Sequence, residues 1–183
     1  MRRGDATPKW HRQPGLFGAM ACATAWVVGL ACTGSPSPAH ATGDAPAING
    51  TFTATSNGEW AQTNEVFHDE TTVRSIWTIS TTCANALSCT GTVSSDQGWT
   101  ATIYTTNNVW YVKREVPNWE PCQGGTSVLG HQVYRFYAVA KDGTLDPNST
   151  TYAGKDETTG PSGGCGRSLP LDIALPFKLV KIA

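Results

Sequence analysis

The chain has 183 residues, of which 13 are Lys or Arg and 14 are Asp or Glu, giving a formal net charge of -1. The charges are unevenly distributed: the first 41 residues contain four of the basic residues and one of the acidic residues. The remaining part, residues 42–183, therefore has nine basic and 13 acidic residues and a net charge of -4. Since it contains no cluster of Lys and Arg to neutralise phosphates, we expect no binding to nucleic acid. Its 142 residues are enough for one hydrophobic core, and a second domain is not expected.

Residues 1–41 have the pattern of a cleaved export signal. Four basic residues near the start are followed by an uncharged stretch from Leu16 to Cys32 and then by the small-residue site Ala39-His40-Ala41. We expect cleavage after Ala41, which makes the protein secreted or extracellular, or associated with the cell envelope.

Cleavage would leave a short flexible tail, residues 42–47, and a single β-rich extracellular domain, residues 48–183, with no stable membrane span. Two alternatives stay open. The uncharged stretch could be kept as an anchor, although its 17 residues are at the short end of what spans a bilayer. Modification of Cys32 would instead give a lipoprotein.

From Ile48 onwards, polar and apolar residues alternate in short runs rich in Thr, Val, Ile and aromatic residues, which is typical of β-strands. The first two runs, residues 51–56 and 59–63, flank Asn57-Gly58, a dipeptide that favours a two-residue type I′ hairpin turn. Further strands are predicted at residues 73–80, 90–95, 99–105, 109–116, 132–140, 149–154 and 171–175.

Turn residues between these runs predict tight reversals and antiparallel neighbours. They are Asp96-Gln97-Gly98, Asn107-Asn108 and Lys141-Asp142-Gly143. The run at residues 133–140 is apolar on both faces, as expected of a strand covered on two sides. The pattern therefore predicts an all-β fold, an antiparallel meander barrel or sandwich of about eight to nine strands. Residues 117–130 and 155–168 are predicted to be long loops.

Four cysteines lie within residues 42–183: Cys83, Cys89, Cys122 and Cys165. In an oxidising compartment an even number of cysteines indicates disulfides, and four allow three pairings. The short spacing of Cys83 and Cys89 favours a local bridge, which leaves Cys122 to pair with Cys165 and to join the two predicted loops. A four-cysteine zinc site is the alternative, but the spacing contains no C-x2-C pair. We therefore predict two disulfides and no metal site.

Four segments resemble a known group of proteins: Gly58-Glu59-Trp60-Ala61-Gln62-Thr63-Asn64, Trp77-Thr78-Ile79-Ser80, Cys89-Thr90-Gly91-Thr92-Val93-Ser94-Ser95 and Gly160-Pro161-Ser162-Gly163-Gly164-Cys165-Gly166. They are similar to the small, uncharacterised exported proteins of mycobacteria and related actinomycetes. The resemblance extends from about Asn49 to Ile182. It implies secretion, disulfides and one β-rich domain, and it assigns no catalytic residues.

A hydrolase is the alternative that the sequence leaves open. Ser162 lies in Gly160-Pro161-Ser162-Gly163-Gly164, which matches the G-x-S-x-G pattern of hydrolases. However, no strongly apolar strand precedes the motif and no helix pattern follows it. A serine nucleophile would also need His68 or His131 within hydrogen-bond reach. A second possibility is a pair of carboxylates, one from Asp156-Glu157 and the other from Glu65, Asp69 or Glu70, but no spacing selects the pair. We therefore assign no catalytic residue and no cofactor.

Trp119 is the one candidate ligand-binding residue, because it lies in a polar segment, Pro117-Asn118-Trp119-Glu120-Pro121, next to a cysteine. An indole in such a place can face a glycan, a lipid or an envelope protein, or it can cap the core. The sequence thus favours a non-enzymatic binding or interaction module of unknown ligand. A sharper form of this hypothesis is a closed barrel around an apolar ligand. The alternatives are a small secreted hydrolase and a structural envelope protein or lipoprotein.

Overall fold

The computed structural model describes residues 47–85 and 87–183, so the predicted signal and its cleavage site lie outside the described residues. Two short 3₁₀ turns, Gly58–Trp60 and Gly164–Gly166, are the helical elements of this part. Neither has the length and apolar character needed to cross a membrane. The ten strands are β1 Gly50–Ser56, β2 Gln62–Thr63, β3 Val66–Phe67, β4 Val73–Asn85, β5 Ser88–Ser95, β6 Thr100–Thr106, β7 Val109–Pro121, β8 Ser127–Ala138, β9 Thr151–Thr159 and β10 Asp172–Lys181.

Eight of these strands form a closed antiparallel barrel. Strands β4 to β10 follow one another in chain order, and β1 pairs with both β4 and β10. Phe52, for example, lies opposite Trp77 of β4 on one side and opposite Lys181 of β10 on the other. The predicted all-β antiparallel fold is confirmed, and it is a barrel.

Successive side chains of a strand point to opposite faces of the sheet, so every second side chain lies inside the barrel. Trp77 is 1% exposed, and its ring centroid lies 4.8 Å from that of Tyr134 and 5.3 Å from that of Phe177. Aromatic pairs of this kind contribute about 0.5–1.5 kcal/mol each beyond their burial. Trp110 and Phe136 are also fully buried. Because these rings fill the middle of the barrel, the expectation of an apolar ligand at its centre is wrong.

The predicted hairpin at Asn57-Gly58 is wrong. Asn57 has a φ of -85°, and its side-chain oxygen accepts a hydrogen bond from the Glu59 backbone N–H at 3.1 Å, so it caps a 3₁₀ turn. A Cβ on Gly58 would lie 1.9 Å from the carbonyl oxygen of Glu70. Glycine is therefore needed here for close backbone approach and not for a positive φ.

The short pair of strands β2 and β3 takes the place of the second predicted hairpin arm. Strand β2 pairs with β10 and with β3, and it extends the β10 side of the sheet. Their connection, Asn64-Glu65, has φ values of 48° and 67°, as a type I′ turn requires. Sequence analysis missed this turn because Asn-Glu is a weaker signal than Asn-Gly.

The other predicted reversals are confirmed. Asn107 and Asn108, with φ values of 51° and 62°, join β6 to β7. Gly98 and Gly143 have φ values of 82° and 85° in their turns. Glycine and asparagine adopt this left-handed region at the lowest cost, which explains why they occupy these turns.

The predicted loop at residues 117–130 is mostly two-stranded. Strand β7 continues to Pro121 and β8 begins at Ser127, with a register shift between Val116 and Glu120. We call residues 117–130 the arm. Pro117 and Gly124-Gly125 suggested a loop, but the strands continue on both sides of them.

The second predicted loop, residues 155–168, is also partly strand, because β9 continues to Thr159. Both predicted disulfides are confirmed. Cys83 is bonded to Cys89 across β4 and β5, and Cys122 to Cys165. The second bridge ties the arm to the connection between β9 and β10, so it holds these two segments at one end of the barrel.

Candidate functional site

The end of the barrel that adjoins the arm contains a cavity of about 260 Å³. Side chains of β4, β7, β8, β9 and β10 line it together with residues 70, 71 and 97, and it reaches the aromatic core at Tyr134. We call it the mouth cavity and define it by six of its lining residues, Arg114, Trp119, Gln132, Tyr134, Asp156 and Thr158. Its lining combines aromatic rings, charged groups and amide groups, as is usual in sites that bind small molecules.

Four polar side chains form a hydrogen-bonded chain beside this cavity. Ser56 Oγ donates to Asp156 Oδ2 at 2.6 Å, and Gln132 Nε2 donates to Asp156 Oδ1 at 2.7 Å. Arg114 Nε in turn donates to Gln132 Oε1 at 2.6 Å. We call Ser56, Asp156, Gln132 and Arg114 the polar relay. It joins β1, β9, β8 and β7, and Asp156 at its centre is only 3% exposed.

Burial changes the pKa values of the titratable groups in and beside this relay. Desolvation raises the pKa of Asp156 above its ordinary range, while hydrogen bonds from Ser56 and Gln132 and the positive charge of Arg114 oppose that rise. Burial also raises the pKa of Tyr134, and the charge of Asp156 raises it further. Hydrogen bonding with the Arg114 and Gln132 side chains opposes this rise in the pKa, which places the Tyr134 hydroxyl next to the relay.

Arg114 is held on two sides. Besides the Nε bond to Gln132, its guanidinium lies over the Trp99 ring at 4.5 Å from the centroid. The Tyr134 ring stacks on Trp99 in turn, with centroids 6.3 Å apart and an interplanar angle of 16°. Stacking and hydrogen bonding together fix the plane of the guanidinium.

Trp119 lies in β7, within the arm, and is half-buried. Its indole rests on glycine backbone, since a Cβ on Gly130 would lie 2.7 Å from its Cγ and one on Gly160 would lie 3.3 Å from its Cζ3. The ring also borders the mouth cavity. A role of Trp119 in ligand binding remains a prediction, and the structure gives it a place beside the relay.

The serine and the histidines of the hydrolase alternative are not joined by hydrogen bonds, whereas two of its carboxylates, Asp156 and Glu70, both line the mouth cavity. Ser162 is exposed in the connection after β9. His68 Nδ1 lies 3.2 Å from Glu70 Oε1, and within residues 47–85 and 87–183 no hydrogen bond joins Ser162 to either histidine. Over the same residues, no group of three or more His, Cys, Asp and Glu side chains could hold a metal ion.

The polar relay was not predicted from the sequence. Its members are separated by 100, 24 and 18 residues along the chain, so no spacing pattern unites them. A signal was present in β9. Asp156 and Thr158 are an even number of residues away from the buried Tyr152, so all three side chains lie on the same face of the strand. Polar residues on the inward face of a strand point to an internal site.

No known family and no curated protein matches this sequence. Among solved structures, a similar fold occurs in an M. tuberculosis protein described as the monomer form of the PknI sensor domain. The TM-score is 0.55 at 11% sequence identity, and the match covers 75% of this chain and 89% of that chain. The chain therefore shares its fold with a mycobacterial sensor domain.

Proposed function

We propose that this protein is a non-enzymatic binding or sensing domain that works outside the cytoplasm and binds a small polar ligand in the mouth cavity. The observation that carries the proposal is the polar relay, a buried carboxylate, amide and guanidinium beside an open cavity. Burying charged groups costs free energy, and perturbed groups of this kind gather at functional sites.

Two further observations support the extracellular part of the proposal. The two disulfides suit an oxidising compartment. The fold is that of a protein described as a sensor domain, and sensing is taken from that description as part of the proposal. The predicted cleavage after Ala41 agrees with both.

The chemistry of the cavity favours a glycan-like or other polar ligand over a lipid. Asp156 and Gln132 offer acceptors and donors, and Tyr134 adds a hydroxyl, while Trp119 supplies an aromatic face. The aromatic core closes the barrel beyond the relay, so a long acyl chain would have no space to enter. The ligand is therefore held at the end of the barrel, against Trp119.

Native mass spectrometry of the purified protein tests this proposal. We expect a co-purifying small molecule on the wild-type protein and its loss from Trp119→Ala and Asp156→Asn. Trp60→Ala is the matched control, because Trp60 is 62% exposed and does not line the mouth cavity. Near-UV circular dichroism checks that each variant is folded. A ligand retained by both cavity variants, or lost equally from Trp60→Ala, contradicts the proposal.

A further inference from the structure

We infer that the barrel wall holds a second binding site, which takes a small organic carboxylate. Strands β6 and β7 pair only between Ile103↔Val112 and Thr106↔Val109. On the N-terminal side of Ile103 and the C-terminal side of Val112 the two strands are not paired. A groove of about 500 Å³ lies there. We call it the wall groove and define it by Trp99, Lys113, Arg114, His131, Gln132 and Val133.

The wall groove is distinct from the mouth cavity, and the inference does not rest on the proposed function. Arg114 and Gln132 border both spaces, whereas Trp119, Tyr134 and Asp156 border only the mouth cavity. A ligand in the groove would therefore contact the relay at its Arg114 end, from the side of the barrel.

Arg114 is the group that recognises the ligand. The Arg114 Nε donates to Gln132, and the guanidinium makes no ion pair with an acidic residue among the described residues. The guanidinium also acts on the Tyr134 hydroxyl by its charge and by hydrogen bonding. One such contact still leaves N–H groups on the two Nη atoms for a ligand, while Trp99 and Gln132 hold the guanidinium plane in place. A fixed guanidinium presents two parallel N–H groups, which match the two oxygens of a carboxylate.

The other groups along the groove also favour an organic acid. Lys113 adds a second positive charge against the single negative charge of Glu115, so the charged lining is net positive. The Trp99 ring and the Val133 side chain provide apolar surface for a short carbon chain. Inorganic phosphate would satisfy the guanidinium but would leave this apolar surface unused, and thus we assign the groove to an organic carboxylate.

Titration of the ¹⁵N-labelled protein with propionate, succinate and phosphate at constant ionic strength tests the inference. We expect saturable shifts of the Trp99 indole and groove amides with the carboxylates. In Arg114→Gln the affinity should fall about tenfold or more, and Arg114→Lys should also be weakened because lysine lacks the planar fork. Lys113→Gln, which leaves the relay intact, should weaken binding by a smaller factor.

Arg135→Gln is the matched control, since Arg135 is an exposed arginine of β8 outside the groove. It should bind propionate as the wild type does, and so should Trp119→Ala, which separates this site from the mouth cavity. Circular dichroism confirms that the Arg114 variants are folded. The inference is wrong if no carboxylate gives a saturable shift, if binding survives in Arg114→Gln, or if phosphate binds as tightly as the carboxylates.

Discussion

The two most buried carboxylates of the described residues have different surroundings. Asp156 is 3% exposed and receives hydrogen bonds from Ser56 and Gln132, while Glu120 is 6% exposed and faces Arg167, whose Nη1 lies 3.6 Å from its Oε1. Asp156 thus depends on neutral donors inside the barrel, whereas Glu120 in the arm has a direct counter-ion. Desolvation raises the pKa of Asp156, so this group couples stability to pH.

Asp156→Asn should reduce the pH dependence of the free energy of unfolding. Because the pKa of Asp156 is raised by burial above its ordinary value of 3.8, the folded protein keeps this proton where the unfolded chain has released it. The stability from this group is present below that ordinary value and is lost as the pH rises through the raised pKa. Urea unfolding between about pH 4 and about pH 7 measures the difference.

The asparagine variant should lose less stability than the wild type over this interval. Asp69→Asn is the control, since Asp69 is exposed and lies outside the relay. It should follow the wild-type curve. Identical slopes for the wild type and Asp156→Asn would show that Asp156 does not change its protonation between the folded and unfolded states.

Gly130→Ala tests whether the Trp119 indole packs against the backbone of Gly130. The added methyl would lie 2.7 Å from Trp119 Cγ and 2.8 Å from Thr158 Cγ2, so the indole must move. We expect a loss of about 1–3 kcal/mol in the free energy of unfolding and a shifted Trp119 indole resonance. Gly124→Ala, with nothing within 4 Å of the new Cβ and no positive φ, should change stability by less than about 0.5 kcal/mol. Equal effects of both changes would contradict the packing of Trp119 on Gly130.

At the scale of elements, local signals predicted some of the turns and not others. The reversals at Asn107-Asn108 and at Gly98 follow from positive φ, and the disulfide pairing follows from spacing. The sequence could not predict that β1 pairs with β10, because that choice depends on strands more than 100 residues apart. Consequently the Asn57-Gly58 signal was misassigned, since Asn57 serves as a cap once its strand pairs elsewhere.

The two-stranded arm and the four-residue relay were not predicted, for related reasons. Pro117 and the glycines at 124 and 125 are loop formers, and only pairing between β7 and β8 makes this segment two-stranded. The ligand-binding role of Trp119 stays a prediction, and its contacts with Gly130 and Gly160 depend on a fold that brings three segments together. The same holds for the relay, whose four members lie on four strands.

The two disulfides should contribute unequally to stability. The bridge from Cys122 to Cys165 spans 43 residues and that from Cys83 to Cys89 spans 6. On the chain-entropy model, Cys122→Ala/Cys165→Ala should lower the free energy of unfolding by about 4 kcal/mol and Cys83→Ala/Cys89→Ala by about 2 kcal/mol. Chemical denaturation of the two double variants measures both values. A larger loss for the short bridge would contradict the model.

For the whole molecule, closure of the barrel is the organising feature. Seven strands follow each other as a meander, and only the pairing of β1 with β10 joins the two ends of the sheet. The aromatic core then fills the centre, which leaves the mouth cavity at one end and the wall groove at the side. Both proposed sites are places where the closed sheet ends or separates.

The pairing of β1 with β10 also brings the two ends of the barrel sequence together. The Thr51 N–H donates to the Ala183 carbonyl at 2.8 Å, and the Ile182 N–H donates to the Thr51 carbonyl at the same distance. The first and last strands of the barrel thus end close together. Joining these ends and cutting the chain at a tight turn would give new termini and keep every strand pairing. A circular permutant that links Ala183 to Ile48 with a short flexible linker and begins at Gly143 should fold to the same barrel, as its amide NMR spectrum would show. If the permutant folds in this way, the order of strands around the barrel determines the fold, and the position of the break between strands does not.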